Sequence, residues 1–383
     1  MFSECDYQFM AKAIKLAETP VFSPHPNPRV GCVIVTFHKE NGQIVGEGFH
    51  EFAGGPHAEV NALNDAAERK MDVMGATAYV TLEPCSHHGK TPPCADTLIR
   101  AGITRIVIAM LDPNPLVAGT GKAKLENAGI RVDSGLLKAE AESLNKGFIK
   151  RMKFGLPWVR SKIAMSLDGR TAMASGESQW ITGSEARKDV QRLRVKSDAI
   201  LTGSGTVLAD DPKMTVRDIE ELAAESTETM RQPLRVIVDR QLKTRATAAI
   251  LNQPGDSWIA TTQARKQANG ESEKFSEKVT VKTYREKASH VDLAELLADL
   301  AANQINEVHV EAGAVLNGVL LDEKLIDELV VYMAPTVMGD SARGLFHLPQ
   351  LQEMSERFHF STNDVRCVGN DIRLSLTPRY SDK

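Results

Sequence analysis

Apolar residues recur along this chain in two rhythms. Near the start, Cys5, Phe9, Met10, Ala13, Ile14 and Ala17 fall three or four apart, the stripe of an amphipathic helix. Short apolar runs then alternate with helix-forming stretches. Val30–Phe37, Thr77–Leu82, Ile103–Met110 and Ile130–Asp133 read as strands. Ala58–Lys70, Cys94–Ala101 (closed by Gly102), a stretch near Lys122–Ala128 and Ala139–Phe148 read as helices. Past a basic stretch, Lys146–Lys153, and the breaker Gly155-Leu156-Pro157, the alternation resumes. Strands are expected at Trp158–Ser166, Ala199–Thr202, Arg235–Val238, Ser257–Thr261 and Val308–Glu311, with helices at Ser184–Val195 and Val315–Leu321. Leu329–Met333 and Asp371–Leu376 suggest antiparallel strands near the end. Such alternation predicts an α/β protein with helices on both faces of open sheets. Two domains follow, residues 1–152 and 153–383. The acidic or polar segments 218–231 and 269–278 read as solvated insertions.

Composition changes little: 42% hydrophobic and 25% charged residues are ordinary for a globular chain of 383 residues. The net charge of −4 gives no general attraction to nucleic acid or anionic membrane. No run approaches a membrane span, and the first residues lack the order of a signal peptide. Cys5, Cys32 and Cys367 read as plain thiols of a reducing cytoplasm.

Chemistry concentrates at His57-Ala58-Glu59, Glu83-Pro84-Cys85 and Cys94. One imidazole and two thiols fill three corners of a zinc site, and an open fourth corner is the mark of a catalytic one. Glu59 supplies the proton-transferring carboxylate that hydrolysis requires. Residues two apart on a regular helix point about 200° from each other. His57 and Glu59 therefore converge only if the helix starts between them. Cys94 is expected at a helix start, where the dipole favours thiolate. Cys85 and Cys94 are separated by eight residues rather than the two of zinc base deaminases. One alternative stays open: His87 or His88 closes the coordination sphere and makes a structural staple.

Further on, two glycine clusters, Thr202–Thr206 and Glu311–Gly318, each follow a strand. Either they are tight turns, or they receive a nucleotide phosphate at a sheet edge. Asp210-Asp211-Pro212 falls near the same edge. Ser166–Arg170 and Gly176–Thr182 read as a ligand rim, and Arg194 and Arg217 as candidate phosphate partners.

The segments His25–Gly31, His57–Val60, Thr81–Cys94, Asp112–Pro115, Ser166–Arg170, Gly176–Thr182 and Leu208–Pro212 together resemble the bacterial bifunctional riboflavin-biosynthesis family. In it a pyrimidine deaminase is fused to a pyrimidine reductase, and the long spacer between cysteines is its own form. The resemblance implies a cytidine-deaminase-like three-layer domain followed by a dihydrofolate-reductase-like α/β domain. It implies zinc held by His57, Cys85 and Cys94, with Glu59 as proton carrier. The implied deaminase substrate is 2,5-diamino-6-ribosylamino-4(3H)-pyrimidinone 5′-phosphate, contacted by Asn27, His50, His87 and Lys90. The second domain would reduce the ribosyl group to ribityl with NADPH, giving 5-amino-6-ribitylamino-uracil 5′-phosphate. Ala164, Trp180, Thr206, Asp210 and the run Gly313, Ala314, Val315, Leu316, Asn317, Gly318 and Val319 would line the NADPH site. Arg240 would favour NADPH over NADH. Ser178, Arg194, Met214, Arg217 and Glu311 would face the sugar phosphate. The implied partners are small molecules and further copies of the chain, as a dimer or tetramer, with no nucleic acid and no membrane. Two other readings compete: a lone deaminase with a second domain that only binds, and a zinc-stabilised binding protein without turnover.

Overall fold

Ser3 accepts the backbone N–H of Asp6 and Asp6 accepts that of Ser3, so helix α1, Glu4–Glu18, begins with a capping box. The computed structural model describes residues 2–19, 24–39, 41–87, 92–217, 231–262 and 275–380. His88, Lys90 and most of the two polar segments, 218–230 and 269–274, lie outside the described residues. Contacts divide the chain into two units, Met1–Gly155 and Leu156–Lys383.

The first unit is built on strands β1 (Gly31–His38), β2 (Asn41–Phe49), β3 (Thr77–Leu82), β4 (Arg105–Met110) and β5 (Arg131–Ser134). They lie in the order β2-β1-β3-β4-β5, with β1 antiparallel to both neighbours and β3, β4 and β5 parallel. Alternate residues of β1 serve opposite faces. Cys32 and Ile34 pack with Ala62, Leu98 and Leu125 of α2 (Ala58–Glu68), α3 (Cys94–Arg100) and α4 (Thr120–Asn127). Val33 and Val35 pack with Met10 and Ala13 of α1 and Ala141 of α5 (Lys138–Leu144). The result is the expected three layers. Helix α2 lies directly on the backbone of β2. A Cβ at Gly46 would stand 2.2 Å from the Ala62 carbonyl oxygen, and one at Gly48 would stand 2.3 Å from the Ala62 nitrogen.

One expected helix is two. Residues 139–148 were to be continuous, but the chain breaks at Asn145 (φ −124°) and restarts as α6, Lys146–Phe154. The Asn145 side chain pairs with the backbone of Arg29, which draws this residue out of helical geometry. The basic stretch is therefore helical. It ends at Gly155 in the left-handed region, φ 65°, as helix C-termini commonly do. A division at 152 would cut α6.

The second unit holds a nine-stranded sheet. Its strands are β6 (Trp158–Ser166), β7 (Ala199–Gly203), β8 (Leu234–Val238), β9 (Ser257–Thr262), β10 (Val279–Tyr284), β11 (Glu307–Val310), β12 (Glu328–Ala334), β13 (His359–Val368) and β14 (Asp371–Arg379). The order is β10-β9-β8-β7-β11-β6-β12-β14-β13. The first seven run parallel, and β14 and β13 close the edge antiparallel. Helices α9 (Leu293–Ala302) and α10 (Ala314–Asp322) cover one face through Leu296, Leu300 and Leu320. Helices α7 (Ser184–Val195) and α8 (Ser204–Asp210) pack through Val190 and Leu193 against Val330 and through Val207 against Ile200. Helices α8 and α10 start at the C-terminal ends of the adjacent parallel strands β7 and β11, so both helix N-termini fall on one sheet edge.

Candidate active sites

His57 is the N-cap of α2, with extended backbone at φ −75° and ψ 164°. Its non-helical backbone lets the ring turn to the side that Glu59 faces, and both side chains meet Cys94, as convergence requires. Cys85 follows the end of β3, and Cys94 is the first residue of α3. The backbone N–H of Cys94 lies 3.3 Å from Cys85 Sγ, and that of Ala95 donates to the Cys85 carbonyl. His57 Nδ1 stands 3.2 Å from Cys94 Sγ and 3.6 Å from Cys85 Sγ. All three donor atoms lie within 4.8 Å of one another. A tetrahedral zinc ion with ordinary bond lengths sets nitrogen and sulfur about 3.6 Å apart, so the residues fit that ion. His87 is exposed and outside this trio, and His57, Cys85 and Cys94 are the donors that converge among the described residues.

The cluster's protons follow from packing. The hydrogen bond from Cys94 holds the Cys85 thiol down to about 4, while giving that bond pushes Cys94 up. The same sulfur, Cys85, raises the His57 imidazole through its hydrogen bond. Glu59 is only 3% exposed, and burial lifts its carboxyl above the usual carboxylate value. It also touches the Cys94 thiol.

Next to this centre sit Asn27 and His50. His50 Nδ1 lies 3.0 Å from the Pro56 carbonyl oxygen, which only accepts, so that nitrogen carries the proton. His50 Nε2 then accepts from Asn27 Nδ2 at 2.9 Å. Burial holds His50 below its usual value, which keeps this neutral tautomer. The His50 and His57 rings meet edge to face at 5.3 Å.

The sequence reading gave Glu83 no task. In the structure its carboxylate accepts three backbone N–H groups, from Asp112 at 3.0 Å, Gly119 at 2.9 Å and Lys122 at 3.0 Å. It ties the 112–122 loop and the start of α4 to the turn that carries Cys85. Those N–H donors lie about thirty to forty residues away, so no local pattern announces the bond.

In the second unit, Glu311 and Arg194 form a buried pair. Arg194 Nε and Nη2 reach Glu311 at 2.5 and 3.1 Å, and Nη1 donates to the Thr215 carbonyl at 2.7 Å. Burial alone would raise Glu311, but Arg194, the His309 hydrogen bond and Lys162 outweigh it and hold the carboxyl far below its usual value. Met214 Sδ lies 3.8 Å from Arg194 Nη2. Lys162, absent from the sequence-based residues, points at the same carboxylate, 3.9 Å away, with its ammonium destabilised by burial. Arg194 is thus committed to Glu311, whereas Arg217 is exposed.

Ser178 donates to Asp210, the last residue of α8, at 3.0 Å. Ala164 is half-buried on β6, and Thr206 half-buried on α8. Trp180 is 67% exposed, with the Arg187 guanidinium 4.7 Å over its ring. Gly313 is the N-cap of α10, and nothing stands within 4 Å of where its Cβ would be. Gly205, in the first turn of α8, is equally open. Val315 is exposed and Leu316 and Val319 are half-buried, but Asn317 is fully buried. Its side chain receives the Ser161 hydroxyl and donates to the Ala312 carbonyl. Gly318 lies beneath the His347 carbonyl. The Gly313–Val319 run therefore offers backbone at its start rather than the Asn317 amide. Arg240 is paired with Glu286 at 3.1 Å. The Ser166–Arg170 loop proves to be a staple. Asp168 accepts the Ser166 hydroxyl, which chiefly holds its carboxyl down to about 2, and the N–H groups of Met338 and Gly339.

Comparison with known proteins matches residues 3–110 to the cytidine and deoxycytidylate deaminase zinc-binding region, and residues 157–374 to the RibD C-terminal domain. The chain is 51% identical over 375 residues to the riboflavin biosynthesis protein RibD of Escherichia coli (strain K12), covering 97% of this chain and 99% of that one. It is 48% identical to the RibD of Haemophilus influenzae, covering 99% of both. Among solved structures it is similar to Acinetobacter baumannii RibD, with a TM-score of 0.86 at 45% identity over 98% of this chain and 99% of that one. It is also similar to the Thermotoga maritima diaminohydroxyphosphoribosylaminopyrimidine deaminase/5-amino-6-(5-phosphoribosylamino)uracil reductase. There the TM-score is 0.84 at 33% identity, over 98% of this chain and 99% of that one.

Proposed function

This chain belongs to the RibD family of riboflavin-biosynthesis enzymes, deaminase and reductase in one polypeptide, and on that footing we propose how its residues divide the two reactions. The protein has a zinc-binding deaminase domain and a reductase domain of the NADPH-dependent type. For the first we propose the phosphorylated diaminopyrimidine as substrate, and for the second reduction of its deaminated product at the ribosyl group.

Zinc, when bound, supplies the Lewis acidity that brings water ionisation near neutral pH. His57, Cys85 and Cys94 hold it. Glu59 is the proton carrier: it passes the attacking water's first proton to the ring nitrogen and then, as the C–N bond breaks, the second proton from the new hydroxyl to the departing amine, which leaves as ammonia. Its burial raises its proton affinity above that of a free carboxylate, which favours taking up the proton. His50 fixes the Asn27 amide, which orients the pyrimidine nucleotide. His87 and Lys90 complete the cationic wall toward the phosphate. The observation that carries this reading is the converging His-Cys-Cys trio with a buried carboxylate beside it.

In the reductase domain NADPH supplies the hydride. The two helix starts at Gly313 and Gly203 share one sheet edge, which suits them to its phosphates. Trp180, Ala164, Thr206 and Asp210 line the remainder, with Arg240 toward the ribose phosphate once it leaves Glu286. Arg217 takes the sugar phosphate of the substrate. Arg194 holds Glu311 in place for the sugar hydroxyls, with Ser178 and Met214 beside them.

We also propose a homo-oligomer, because β13 is a sheet-edge strand with most residues exposed, the kind of edge that pairs with another chain. A cytoplasmic location fits five cysteines that are free of disulfides. The deciding experiment is Glu59→Gln. Deamination should fall by at least about a thousandfold, while zinc content and NADPH oxidation with deaminated substrate persist. Loss of zinc together with activity would make Glu59 a structural or ligating residue instead.

A further inference from the structure

We infer that the last helix of the first unit positions the deaminase's substrate loop, with Asn145 and Arg151 clamping residues 26–29 on both sides of Asn27. The inference rests on the reading of Asn27 as a substrate contact.

The loop from Pro24 to Val30 joins α1 to β1 without regular structure of its own. Within it the Asn27 N–H donates to the Pro24 carbonyl at 3.1 Å. Bonds that reach the loop from outside also set its shape. Asn145 holds it at Arg29. The Asn145 Oδ1 accepts the Arg29 N–H at 2.8 Å, and its Nδ2 donates to the Arg29 carbonyl at 2.9 Å. One amide side chain thus pairs with the loop as a neighbouring strand would, from 116 residues away.

The position of Asn145 makes this pairing informative. It is the N-cap of α6, where an asparagine normally accepts an N–H of its own helix. Here it makes no such capping bond. The chain forgoes that stabilising bond and binds Arg29 instead. Asn145 is also only 5% exposed, so an unmatched amide there would be costly. Farther along the same helix, the Arg151 Nη2 donates to the Pro26 carbonyl at 3.3 Å.

The two anchors, residues 26 and 29, bracket Asn27. Its side chain is met from a third direction by His50, whose tautomer the Pro56 carbonyl fixes. Asn145 and Arg151 are positioning residues in this scheme. They set the backbone from which the Asn27 amide projects, and a displacement of about 1 Å in such a group is enough to cost much of its effect.

The test uses the full-length, zinc-loaded protein and measures deaminase KM and kcat, zinc content, and reductase turnover with deaminated substrate. The variants are Asn27→Ala, Asn145→Ala, Arg151→Ala, and Asn27→Ala combined with each of the other two. Asn145→Ala should raise deaminase KM about tenfold and Arg151→Ala about threefold. Zinc content and the reductase should be unchanged. In the Asn27→Ala background neither substitution should change KM by more than about twofold, because each acts through Asn27. Multiplying effects in the double variants would overturn the inference. So would single variants of unchanged KM beside an impaired Asn27→Ala. If Asn27→Ala itself leaves KM unchanged, the reading of Asn27 fails instead. Should Asn145→Ala lose zinc or fold poorly, the cycle of Arg151 with Asn27 decides alone.

Discussion

Replacing Glu83 by alanine should destabilise the first unit without touching the second. The wild-type carboxylate is 5% exposed and accepts three backbone N–H groups at 2.9–3.0 Å. Hydrogen bonds to a charged group contribute about 1.5–3 kcal/mol each. The three share one carboxylate, and the freed N–H groups of the loop regain some water, so full additivity does not hold. A loss of about 3–5 kcal/mol follows. Two of the three donors, Gly119 and Lys122, lie at the start of α4, whose positive end the carboxylate also neutralises. Cys85 sits two residues farther on, so zinc affinity should fall at least about tenfold as well.

The three tryptophans provide the assay: Trp158, Trp180 and Trp258 all belong to the second unit. In urea, the tryptophan fluorescence transition should keep its midpoint, while the loss of far-ultraviolet circular dichroism should gain an early phase. Glutamine at 83 keeps one acceptor oxygen and should fall between alanine and wild type. A stability loss below about 1 kcal/mol would refute the assignment of Glu83 as the loop's anchor. So would an equal shift of the fluorescence transition.

Two further outcomes are expected. Burial alone would raise the Asp6 carboxyl, but Arg105, the Ser3 N–H and the Tyr79 hydroxyl outweigh it and hold it far below its ordinary 3.8. A depressed folded value makes its stabilisation complete above pH ~4 and progressively lost below. Asp6→Asn should therefore lower stability at pH 7 and flatten the acid limb of the first unit's stability curve; an unchanged acid limb would show that other carboxylates govern it. Arg217→Ala should raise the reductase KM for the sugar phosphate about tenfold or more and leave that for NADPH alone. A selective loss of NADPH affinity would reassign this arginine to the cofactor.

Much of the architecture was legible because periodicity and burial coincide. Thr77–Leu82, Trp158–Ser166 and Ser184–Val195 occupy the spans their apolar patterns predict. Strand β2 was silent for a physical reason: its core-facing positions 46 and 48 are glycine, so the alternation that marks a strand has no side chains to write it. Helix α9 carried a start signal left unread, Asp292 ahead of a leucine-rich run, and Asp292 does accept the Glu295 N–H. Site chemistry divides the same way. The metal trio and Glu59 were readable because spacing restricts what such donors can do. Lys162, Glu83 and Asn145 were not, since each meets its partners across long sequence separations. The Ser166–Arg170 loop looked like a ligand rim because it is polar and broken by glycine, yet Asp168 satisfies its acceptors within the protein.

The contact between α2 and β2 has a consequence for anyone wishing to redesign the deaminase. Where the metal-bearing helix crosses β2 no side chain separates them at Gly46 and Gly48, and main chain meets main chain. Substitution there adds bulk and lifts the helix, with His57 at its start; it cannot make room. Room for a different substrate has to be sought elsewhere, among side chains such as Asn27 that stand beside the metal trio.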